Sequence, residues 1–156
     1  MALALALSGG DAHAANGFAK KLTGKEKISV SGCGRDTANL KISNLKIRSD
    51  RTWKAKIDGK TLEGTYTQNN GGRNLKLKMN SRTKRRVLNA LANWAAEVCE
   101  NDVTGEKLTK VDFKVKLNKK RNRAKGTVLI KARGRSSEGP GKATYTAQIS
   151  GNYKHR

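Results

Sequence analysis

The sequence predicts an α+β, mostly β fold: a curved antiparallel sheet or partial barrel of seven or eight strands packed on one central amphipathic helix. Three observations predict it. Apolar and polar residues alternate with period two through most of the chain, as in half-buried strands. The period changes to helical spacing once, after Ser81. The connections between alternating segments are too short for parallel crossovers, so successive strands pair antiparallel.

Taken in order, the chain opens on a short apolar run, Ala2 to Leu7, followed by Ala12-His13-Ala14. That small-x-small triplet resembles a signal-peptidase site, so residues 1–14 are expected to be a shortened export signal lacking its basic start. Residues 15–27 are polar and lysine-rich and are expected to form a loose basic arm. A single β-rich domain is then expected over 28–156.

Ile28 and Val30 begin a strand that ends at Ser31-Gly32-Cys33-Gly34. Leu40 and Ile42 alternate, then Leu45 and Ile47 alternate in the opposite phase. That shift at Ser43-Asn44 marks a bulge in one long strand or a turn between two. Trp53, Ala55 and Ile57 share one face of the next strand. Asp58-Gly59 is a two-residue hairpin turn of the favoured kind. Leu62, Gly64 and Tyr66 continue beyond it, and Leu75, Leu77 and Met79 follow the turn at Asn69 to Gly72.

The helix is expected over about 82–98, with Ser81 as N-cap. Val87, Leu88, Leu91, Ala95, Val98 and Cys99 form its apolar face. Alternation resumes at Val111, Phe113, Val115 and Leu117. Val128, Leu129 and Ile130 run consecutively, so that strand is expected to be buried on both faces. Ala143, Tyr145, Ala147, Ile149 and Tyr153 define the last one.

Charge limits the function. Lys and Arg number 34 against 12 Asp and Glu, a net charge of +22. Such an excess strains the compact state and favours an anionic partner: an acidic glycan, lipopolysaccharide, an anionic lipid surface or nucleic acid. Three basic groups are candidate anion-binding surfaces. Lys54 and Lys56, Lys76 and Lys78, and Lys114 and Lys116 fall on the faces opposite the apolar ones. Arg82, Lys84, Arg85 and Arg86 open the helix, where its dipole disfavours cations but its free N–H groups favour an anion. Lys119, Lys120, Arg121 and Arg123 make a basic turn, with Arg133 and Arg135 in the connection that follows.

Catalytic equipment is sparse. The two histidines, His13 and His155, lie near the chain ends, so a histidine-based triad within the domain is not expected. No motif calls for a metal or a cofactor. Cys33 and Cys99, an even pair beside an export-like start, are expected to form a disulfide. No stretch reaches the roughly 20 apolar residues of a membrane-spanning helix.

The resulting expectation is a secreted or periplasmic, non-catalytic binder of a polyanion. Two rival readings stand beside it. One is a lipocalin-like carrier of an amphiphilic ligand with an acidic head group, with Ala55, Gly64, Gly126, Ala143 and Ala147 leaving room inside. The other, ranked last, is a hydrolase using two carboxylates from Glu97, Glu100, Asp102 and Glu106.

Overall fold

A computed structural model describes residues 16–69 and 71–156. The proposed export signal and His13 lie outside them. Five strands precede the helix: β1 (Gly17–Val30), β2 (Gly34–Ile47), β3 (Thr52–Ile57), β4 (Lys60–Asn69) and β5 (Asn74–Met79). The helix, α1, spans Ser81–Cys99. Then follow β6 (Thr104–Leu117), β7 (Arg123–Ser136), β8 (Gly139–Asn152) and the short β9 (Lys154–His155). Consecutive strands from β1 to β8 pair antiparallel, and β8 pairs back onto β1 from Leu22↔Gly151 to Val30↔Ala143. The sheet is therefore a closed eight-stranded barrel, with β9 added against the start of β1.

Closure removes the two free edges that an open sheet of this length would expose. It also corrects one expectation. The segment 15–27 is no loose arm, because β1 begins at Gly17 and supplies the closing strand. His155, on β9, is paired into the sheet opposite Gly17.

The inward residues are those the alternation selects. Trp53, Ala55, Leu62, Tyr66, Leu75, Leu77, Met79, Phe113, Val115 and Leu117 are all buried. The phase change in β2 is a bulge within one continuous strand: register with β3 shifts between Ser43 and Lys46, and Asn44 has φ 53°. It keeps both Leu40–Ile42 and Leu45–Ile47 facing inward. Asp58 and Gly59, at φ 47° and 77°, form the tight hairpin turn between β3 and β4. One strand departs from expectation. Leu129 stays half-buried on the outer wall, between Asp112 and Thr146, so β7 is buried on one face only.

Closing a barrel bends strands sharply, and glycines mark where neighbours press close. A Cβ on Gly24 would stand 1.7 Å from the Gln148 carbonyl oxygen, and one on Gly64 1.8 Å from that of Lys78. Backbone cannot yield as a flexible side chain can. Gly24→Ala, at the β1–β8 seam, should therefore destabilise at or above the roughly 1–3 kcal/mol of ordinary overpacking. A thermal melt checks this, and an unchanged midpoint would mean the seam does not depend on that approach.

The helix lies across the end of the barrel that carries the β1–β2, β3–β4 and β7–β8 turns. Its N-cap is Asn80, not Ser81: the Asn80 side-chain oxygen accepts from the Thr83 amide at 2.8 Å. The first turn is then fastened to β4. Thr83 Oγ1 donates to the Glu63 carbonyl and accepts from the Glu63 amide, each at 2.9 Å. Asn80 is free to cap because β5 ends one residue earlier and delivers it in extended backbone. At the other end, Glu100 turns left-handed (φ 54°) and the Asn101 amide reaches back to Ala96 at 3.2 Å. The Cys33–Cys99 disulfide then joins the β1–β2 turn to the last residue of α1.

Candidate ligand cavity and basic surfaces

Deeper in the barrel, beyond Phe113, the interior is filled. Trp53 meets Phe113 edge to face with centroids 5.5 Å apart, and its Nε1 donates to the Lys78 carbonyl at 3.0 Å. Above Phe113 lies a cavity of about 270 Å³, roofed by α1. Its walls are mainly apolar: Ile28, Leu40, Ile42 and Ile130 from the strands, and Val87, Leu91 and Trp94 from the helix. That volume is nearly twice the roughly 150 Å³ of an apolar engineered cavity able to hold benzene.

Two polar features interrupt the lining. Tyr145 donates from its hydroxyl to Glu26 Oε2 at 2.7 Å. Burial, reinforced by that carboxylate, holds the phenol far above its ordinary pKa, so it remains a donor across the whole physiological range. At the mouth stand Asp58, Lys60 and Arg86. Arg86 Nη1 donates to the Thr61 carbonyl at 2.6 Å, which fixes the guanidinium beside the start of β4.

The small residues expected to create this space do not line it. Gly64 and Gly126 are filled by neighbouring atoms, a Cβ on Gly126 falling 2.7 Å from Ile149. Ala55, Ala143 and Ala147 pack in the core. The space lies instead between α1 and the larger apolar side chains of the strands that face it. Trp94, Glu26 and Tyr145 were not singled out as site residues. Trp94 did carry a signal, lying three and seven residues after Leu91 and Val87 on the same helical face.

The basic groups are dispersed. Arg82, Lys84, Arg85 and Arg86 are exposed at the helix start, at the cavity end of the barrel. The turn holding Lys119, Lys120 and Arg121 sits at the far end, where Arg121 donates to the Gly71 carbonyl and Asn118 Oδ1 accepts from the Asn122 and Arg123 amides, each at 3.0 Å. Arg133 and Arg135 belong to β7 itself. The lysine stripe is broken by β4: Lys54 and Lys56 are separated from Lys76 and Lys78, and Glu63 stands 3.8 Å from Lys54. On the other side, β5 and β6 are neighbours and bring Lys76 directly opposite Lys114.

The acidic residues around the helix end remain a surface feature. Glu97, Glu100 and Asp102 are exposed, Glu106 is half-buried, and among the described residues no group of three or more His, Cys, Asp or Glu is placed to hold a metal ion. Among the same residues no helix is long and apolar enough to cross a membrane.

The geometry defines a class: a closed eight-stranded antiparallel barrel whose mouth is roofed by a single disulfide-anchored helix over a small apolar cavity. No protein-family model matches the chain, and no curated protein matches it in sequence.

Proposed function

We propose that the protein is a non-catalytic carrier of a small amphiphilic ligand. The apolar body occupies the cavity beneath α1, and an acidic head group rests at the mouth against Lys60 and Arg86. The observation that carries this reading is the cavity itself. It is apolar, lies in the mouth of a small barrel, and has few polar groups, an arrangement typical of small-molecule sites. Arg86 is already held by Thr61, so less freedom is lost when it takes up an anion. Glu26, engaged by Tyr145, lies in the same cavity and disfavours a second carboxylate there, which directs an acidic head to the rim. We place the protein in an oxidising, extracytoplasmic compartment, a reading supported by the disulfide.

Trp94 in the lining provides the test. Titration with a medium-chain carboxylate should shift tryptophan emission, and the matching alcohol should bind more weakly. Val87→Phe projects a ring from the helix into the cavity and should abolish the shift, with a melting temperature near that of the parent. Equal response of parent and variant would place the ligand elsewhere.

A further inference from the structure

We propose that a groove on the outer wall, over β4 to β7, binds a chain of an acidic polysaccharide. The site is separate from the cavity and does not rest on the carrier reading. The groove encloses about 560 Å³ and is lined by Lys76, Lys114, Lys116 and Lys125 together with Thr67 and Thr127. Register makes the lysines a cluster. Lys76 is directly opposite Lys114, and Lys116 is directly opposite Lys125. Strands lie about 4.8 Å apart and alternate residues about 6.8 Å apart, so the four side chains rise from one small patch.

Like charges placed directly across a sheet destabilise it. Here that happens twice in adjacent pairs. One of the four, Lys114, has an internal partner in Asp112 at 3.2 Å. Edge protection does not account for the arrangement, because a closed barrel has no edge at β5, β6 or β7. The lysines also continue as a column. Lys78 extends the cluster along β5 toward the helix start, and Arg123 on β7 extends it toward the basic turn at the far end. An extended anionic chain fits such a column better than a single ion does.

The chemistry of the lining selects the kind of chain. Lysine ammonium groups act as point charges that take sulfate, carboxylate or phosphate, so the choice among anionic chains falls to the groups between them. Between them stand neutral polar groups able to bond sugar hydroxyls, the exposed hydroxyls of Thr67 and Thr127. Among the described residues no aromatic side chain lines the groove, and single-stranded nucleic acid is held largely by base stacking on aromatics.

The test uses the full chain and a defined heparin oligosaccharide, with a single-stranded oligodeoxynucleotide of equal charge as competitor. Lys76→Gln/Lys116→Gln/Lys125→Gln should weaken oligosaccharide binding by about tenfold or more at moderate salt and flatten its salt dependence. The same variant should melt at or above the parent temperature, because two like-charge pairs are relieved. A matched change on the opposite wall, Lys25→Gln/Lys27→Gln/Lys41→Gln, removes the same three charges from exposed positions of β1 and β2 and should leave affinity close to the parent value. Equal losses in the two variants would show that total charge, not the groove, attracts the polymer, and would overturn the proposal. Tighter binding of the oligodeoxynucleotide than of the oligosaccharide would overturn the choice of a glycan.

Discussion

Replacing both cysteines, Cys33→Ser/Cys99→Ser, should cost about 4 kcal/mol of stability. The bridge closes a loop with a sequence separation of 66, and the chain-entropy relation for a loop of that length gives about this value when native strain is small. The loss should also have a location. The first turn of α1 is held independently by Asn80, Thr83 and Arg86. Its last turns pack through Ala95 with Val30 and Ala143, a small cluster apart from the main core, and the disulfide fastens that cluster. Without the bridge, amides near Ala95 to Cys99 should exchange sooner than those near Thr83 to Val87. Ligand binding should weaken with them, since Trp94 and Leu91 roof the cavity. Urea denaturation without reductant measures the first effect and hydrogen exchange the second. Equal urea midpoints would show that the fold does not use the bridge.

Trp53→Ala should be comparably severe, at roughly 3–5 kcal/mol for loss of a large buried aromatic. Trp53 is essentially inaccessible, packs edge-on against Phe113, and bonds the Lys78 carbonyl. Trp53→Phe retains a ring but loses that hydrogen bond, so it should cost less, with about 0.5–1.5 kcal/mol of its cost from the bond. The pair also forms the floor under the cavity, because Phe113 contributes to the lining from above. A deeper site in Trp53→Ala should therefore accept a longer chain than the parent does, at lower overall stability. Comparing denaturation curves with binding of a carboxylate series separates the two effects. If Trp53→Ala matched the parent in stability, Trp53 would not be part of the central packing.

Much of the architecture was legible because the chain repeats a local rule. Period-two alternation identified the inner wall at Trp53 to Ile57, Leu75 to Met79 and Phe113 to Leu117. The switch to helical spacing identified α1 within a residue or two of its observed ends. The disulfide was readable from an even pair of cysteines beside an export-like start. Only the end of β1, Ile28 to Val30, was legible; its first part was not, for a definite reason. Its inward positions include Gly24 and Glu26, where the pattern calls for apolar residues. Gly24 stands there because the seam leaves no room for a side chain, and Glu26 because it faces Tyr145 in the cavity. The local pattern failed where closure and the candidate site impose their own requirements.

The sequence by itself determined the class of fold, the helix that follows Asn80, the faces of the strands and the excess of positive charge, because each is written in spacing or composition. Only the tertiary structure decided that the sheet closes through β1 and β8. It also decided that β4 divides the lysine stripe while β5 to β7 gather four lysines in one groove, and that the helix roofs a cavity. Those outcomes depend on which strands become neighbours and in what register, and on where the helix meets the barrel. They are contacts between residues far apart in the chain, and periodicity along the chain carries no record of them.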